Sequence, residues 1–149
     1  MPRQTIRLPT AAEYRSLASF RHTLRRFLDF SARAAREAGL TTQHYQAMLV
    51  LKAAMPDKPV SIGELARELL LEHHSCVELV DRLAERGLVR RVDSAEDGRR
   101  VDLQLTSKGE TVIAQLAATH REELRRAGPQ IRKALRTLNE MSEAAAERK

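Results

Sequence analysis

Six arginines, Arg82, Arg86, Arg90, Arg91, Arg99 and Arg100, fall within nineteen residues of this 149-residue chain. Guanidinium groups at that density suit phosphate oxygens, which they can grip through two parallel hydrogen bonds. A second cluster, Glu72, His73, His74 and Cys76, offers metal-ligand residue types. Adjacent histidines on a helix point about 100° apart and do not converge on one ion, so no metal site is expected there. Cys76 is the one cysteine. It lies on an apolar stripe with no second thiol to resolve an oxidised form, so a buried, inert thiol is expected over a redox sensor. His22, His44 and His120 are scattered over three helical segments, each expected to be hydrogen-bonded or solvated, with pH sensing as the alternative. The chain has no Gly-rich phosphate loop, no HExxH pair and no locally activated Ser or Cys. That pattern points away from an enzyme and from any cofactor.

The arginines need elements to position them. From Thr10 to Ala38, Leu17, Phe20, Leu24, Phe27 and Leu28 recur at helical spacing, and Gly39 ends the helix. Thr41 offers an N-cap for a second helix that stops before Pro56. Ser61 and Glu64 have capping-box spacing and open a short third helix. A fourth runs from His73 to Glu85, with Cys76, Leu79, Val80 and Leu83 inward and Gly87 as its left-handed stop. Residues 88–92 and 101–105 read as two strands joined by DSAEDGRR, a hairpin with Asp97-Gly98 at its tip. After Thr106 comes a helix with Val112, Ile113, Leu116, His120 and Leu124 on one face. The Gly128-Pro129 pair is expected to break it ahead of a last helix striped by Ile131, Leu135, Leu138 and Met141.

The fold class expected is mainly α with a small β-hairpin wing: a winged helix-turn-helix lobe at residues 41–106 within a single 1–149 domain, flanked by dimerisation helices at 10–38 and 107–146. The flanking helices carry apolar stripes with no intrachain partner in so small a domain, and a second copy would cover them. Composition agrees with a duplex DNA partner. Aromatics make up 3% of the chain with no Trp, which leaves little to stack unpaired bases on. The formal charge is +6, but it is uneven: residues 1–38 carry +5, residues 61–106 carry −3 and residues 107–149 carry +3. No run approaches the roughly 18 apolar residues of a membrane helix, and MPRQTIRLPT lacks a secretory apolar core. A cytoplasmic protein is expected, bound to the nucleoid of a bacterium or archaeon when on DNA.

The segment DGRRVDLQLT, residues 97–106, resembles the wing signature of the multiple antibiotic resistance regulator (MarR) family: Asp, one residue, Arg, five residues, Leu-Thr. These fall on Asp97, Arg99, Leu105 and Thr106. LVDRLAERGLVRR at 79–91 is similar to the family's recognition-helix end, and ELA at 64–66 to its first helix-turn-helix segment. The resemblance implies a homodimeric transcriptional regulator, most often a repressor on a pseudo-palindromic operator, in which Arg99 enters the minor groove and small aromatic or anionic effectors bind where dimerisation helices meet the DNA lobe.

On that reading Arg99 leads the wing, Asp97 holds its guanidinium or closes the turn, and Arg100 and Arg91 contact phosphate. His73, His74, Ser75, Val77, Glu78 and Arg82 form the polar face of the recognition helix. Glu78 either faces the groove or pairs with Arg82 one turn on. Here the chain departs from the family pattern: Leu70 stands where Gly is frequent, and Glu72 where a Ser or Asp cap is. The basic N-terminal segment nominates Arg21, Arg25 and Arg26 for an anionic effector. The alternatives are a winged helix that docks proteins and ignores DNA, or a metal or redox sensor on the same scaffold.

Overall fold

The computed structural model describes residues 8–94 and 96–146; residues 1–7, 95 and 147–149 lie outside it. The order of elements is α1 (Ala11–Glu37), α2 (Thr42–Ala53), β1 (Val60–Ser61), α3 (Ile62–Leu69), α4 (His73–Glu85), β2 (Val89–Asp93), β3 (Val101–Leu105) and α5 (Ser107–Ala146).

Local chemistry explains the helix ends. The Thr41 hydroxyl accepts the His44 amide proton, and the His44 ring nitrogen Nδ1 accepts that of Thr41. Ser61 and Glu64 make the same reciprocal box, as their spacing predicts. Gly87 follows α4 with φ +68°, in the left-handed region that glycine enters without strain. The hairpin forms as expected, but it is two strands of a three-stranded antiparallel sheet ordered β1-β3-β2. β1 contributes only Val60 and Ser61, opposite Leu103 and Asp102, too short for a periodic signal.

The expected break at Gly128-Pro129 does not occur: α5 runs unbroken for 40 residues with Pro129 inside it. Pro129 removes one amide donor, but its position and that of Arg125 one turn earlier are exposed, so water can satisfy the carbonyl left over. Gly128, without a Cβ, relieves the restriction that proline places on the preceding residue.

Two compact units emerge: Ser31–His120, and the remainder of α1 with the part of α5 from Arg121 onward. Within Ser31–His120, Met48, Leu65, Leu83, Ile113, Val80 and Cys76 are fully buried and form the centre of the core. His120 is buried there too. Its Nδ1 donates to the Leu116 carbonyl at 2.7 Å, its Nε2 meets the Ser31 hydroxyl at 2.8 Å, and its ring stacks on Tyr45 at 4.2 Å. In the other unit not one described residue is buried. Leu17, Leu24 and Leu28 of α1 and Leu124 and Leu135 of α5 are each more than 40% exposed.

Candidate nucleic-acid interface

The site is built on α4 and the wing. Cys76, Leu79, Val80 and Leu83 face the core, and this fixes which residues are left outside. His73, His74, Glu78 and Arg82 are exposed, while Ser75 and Val77 are half-buried at the margin of that face. Glu78 and Arg82 approach to 3.9 Å, with both side chains about two-thirds exposed; of the two placements open to Glu78, the helix pair is the one seen. The Cys76 thiol donates to the Ile62 carbonyl at 3.6 Å, and burial pushes its pKa up. A buried protonated thiol is a poor nucleophile. Among the described residues no group of His, Cys, Asp and Glu could hold a metal ion.

The wing tip is shaped by Asp97. Its carboxylate accepts the Arg99 amide proton at 3.0 Å and its carbonyl that of Arg100 at 2.9 Å. Asp97 therefore closes the turn, one of the two roles open to it. Arg99 is exposed at this tip, and among the described residues its guanidinium has no ion-pair partner.

Arg100 and Arg91 are placed differently from Arg99. Arg100 turns inward, donating to Asp102 through Nε at 2.6 Å, to both Glu64 oxygens at 2.9 and 3.3 Å, and to the Pro59 carbonyl at 2.5 Å. Asp102 is buried, so this guanidinium neutralises it while tying the base of the wing to the capping box that starts α3. Arg91 pairs with Asp81 of α4 at 2.5 Å and keeps about a third of its side-chain surface. Arg90 crosses the sheet to Gln104 at 2.9 Å. Sequence reading missed Asp81, Asp102 and Glu64 as partners; only the fold brings residues up to 36 positions apart together.

The same lobe holds two groups whose protonation bears on stability. Burial, then the charges of Arg86 and Arg82, keep the His44 pKa below its usual value. Protonation would also remove the acceptor that caps Thr41. The neutral form is the folded one, so this contribution is complete above the ordinary histidine pKa of 6.5 and is lost as pH falls below it. The Ser61 amide, with Arg100, holds the Glu64 carboxyl below its ordinary 4.5, giving a further loss at lower pH. Melting temperature should decline as pH falls below about 6.5, and His44→Gln, which keeps an acceptor that does not titrate, should flatten the decline that begins there. An unchanged slope in the variant would remove His44 as its source.

Of the three arginines nominated for an effector, Arg26 lines a cleft of about 500 Å³ between the outer parts of α1 and α5, together with His22, Glu123, Arg126 and Lys133. Arg21 and Arg25 are exposed and lie outside its lining. On a helical wheel the cleft residues Ser16, Ser19 and Thr23 lie roughly 130° from Leu17, Leu24 and Leu28. The three leucines therefore lie away from the cleft, while Phe27 of the same stripe lines it.

A short helix, a tight turn, a second helix on the core and a three-stranded wing define a winged helix-turn-helix protein. The MarR family model matches residues 38–100, from the end of α1 to the wing tip, so this lobe is similar to the MarR family. Three solved structures show the extent of the likeness. AbsC, a MarR family transcriptional regulator from Streptomyces coelicolor, superposes with a TM-score of 0.73 at 21% identity, covering 96% of this chain and 97% of its own. A MarR family transcriptional regulator from Silicibacter pomeroyi gives 0.61 at 28% identity over 80% and 82%. The S. aureus MepR–DNA complex gives 0.60 at 18% identity over 85% and 97%. No helix among the described residues is long and apolar enough to cross a membrane.

Proposed function

We propose that this protein is a sequence-specific duplex-DNA-binding transcriptional repressor that works in the cytoplasm as a homodimer on a pseudo-palindromic operator. The observation that carries the reading is one lobe presenting both the outward face of α4, with His73, His74 and Arg82, and a wing tip where Arg99 alone of Arg90, Arg91, Arg99 and Arg100 has neither an ion pair nor a side-chain hydrogen bond among the described residues. The first suits a major groove and the second the negative potential of a narrow minor groove. Residues 41–106 are the DNA lobe, with 10–38 and 107–146 the dimerisation helices. Arg91 and Arg90 lie at the wing's edge for phosphate, and Arg100 is a positioning residue. Supporting the dimer is the apolar surface of the outer helices, which is left exposed among the described residues. MepR, solved as a complex with DNA, supports the partner. A small anionic effector is the finer part of the proposal, supported by Arg26, Arg126 and Lys133 around one cleft.

The test is a titration of the DNA upstream of the protein's own gene at two salt concentrations, comparing wild type with Arg99→Ala. Wild type should shift this duplex in preference to random sequence and weaken steeply with salt. Arg99→Ala should bind at least roughly tenfold more weakly, with a salt slope lower by about two, one for each copy in the dimer. Selection from random duplexes extends the test to operators elsewhere in the genome. Failure of wild type to prefer any duplex in either format would overturn DNA binding and leave the protein-docking reading.

A further inference from the structure

The turn between α3 and α4 carries a residue that its own fold does not explain. Leu70 adopts φ 55° and ψ 41°, the one positive φ among the described non-glycine residues. A leucine there crowds its Cβ against the backbone, a cost that glycine avoids. Burial does not offset that cost, because Leu70 is 92% exposed, the most of any large apolar residue described. A strained conformation and an uncovered apolar side chain at one position point outward, to a partner.

The position identifies the partner's chemistry. Leu70 stands two residues before Glu72, the N-cap of α4, beside the exposed His73 and His74 that the proposed function aims at base edges. Glu68 and Glu72 flank it, so the surroundings are charged and do not suit a lipid surface. A leucine side chain neither donates nor accepts a hydrogen bond, and the one apolar group that base edges present in a major groove is the thymine C5-methyl. Resting on the DNA-binding reading, we propose that Leu70 is a specificity residue that packs on the methyl group of a thymine in each half-site.

The experiment uses the full-length protein and its selected operator, with each thymine replaced in turn by deoxyuridine, which removes the methyl and leaves base pairing intact. Wild type should lose about three- to tenfold in affinity at one symmetry-related pair of thymines. Leu70→Ala and Leu70→Gly should lose a similar factor on the unmodified operator and be indifferent to uracil at that pair. Leu70→Gly should also melt about 2–4 °C higher, so weaker binding cannot be ascribed to unfolding. Variants that bind as tightly as wild type, or that stay as sensitive to the missing methyl, would overturn the proposal. So would a Leu70→Gly protein that melts lower than wild type, since relief of strain is its premise. Wild type that prefers no duplex would instead overturn the DNA-binding reading, a distinct result visible before any variant is made.

Discussion

Gly109→Ala is expected to cost the folded protein about 2–4 kcal/mol, although alanine is the better helix former. Gly109 lies in the first turn of α5, and a Cβ there would sit 2.1 Å from the Leu88 carbonyl oxygen and 3.3 Å from a Leu105 methyl. The first obstacle is backbone and cannot rotate away. The Leu88 carbonyl also accepts the Thr106 amide proton, while the Thr106 hydroxyl donates to the Gly87 carbonyl and accepts the Gly109 amide proton. Any displacement of α5 therefore pulls on the ends of α4, β2 and β3 together. Urea denaturation of the variant should show a lower midpoint with little change in slope. Its DNA affinity should fall as well, because β2 and β3 hold Arg99. Stability within about 0.5 kcal/mol of wild type would show that α5 can shift at its root without disturbing the wing.

The second large effect concerns association. Leu24→Asp combined with Leu28→Asp should convert the protein to a monomer of the chain mass, 16.8 kDa, by light scattering. It should also lower operator affinity by at least about a hundredfold, since one lobe alone engages one half-site. The two leucines are 44% and 47% exposed in the single chain, so charge at these positions has nothing to disrupt within Ser31–His120. The environment of Tyr45, buried against His120 in that unit, reports its integrity by near-ultraviolet circular dichroism. A doubly substituted protein that stayed dimeric would move the association surface off this stripe.

What could be read from sequence alone was what local chemistry dictates. Thr41, Ser61-Glu64 and Gly87 each act within a turn of their own position, and each helix end they imply is present. The inward face of α4 follows from periodicity for the same reason. Features set by distant partners were hidden. Two-residue β1 exists because β3 is there to pair with it. The inward turn of Arg100 depends on Glu64 and Asp102 meeting across three elements. Pro129 reads as a stop because local propensity disfavours it, yet an exposed helix can tolerate one missing bond. The role of Gly109 was invisible for a related reason: nothing near it in sequence announces that Leu88 passes 2.1 Å from its missing Cβ.

The uncovered outer helices carry a consequence for gene control. If they are completed only by a second copy, the species that binds an operator forms in proportion to the square of protomer concentration when protomers are scarce. Occupancy then rises from low to high over a narrower range of protein abundance than a monomeric binder would allow. A promoter under such a protein would respond to modest changes in its synthesis or degradation with a sharper change in output, before any effector contributes.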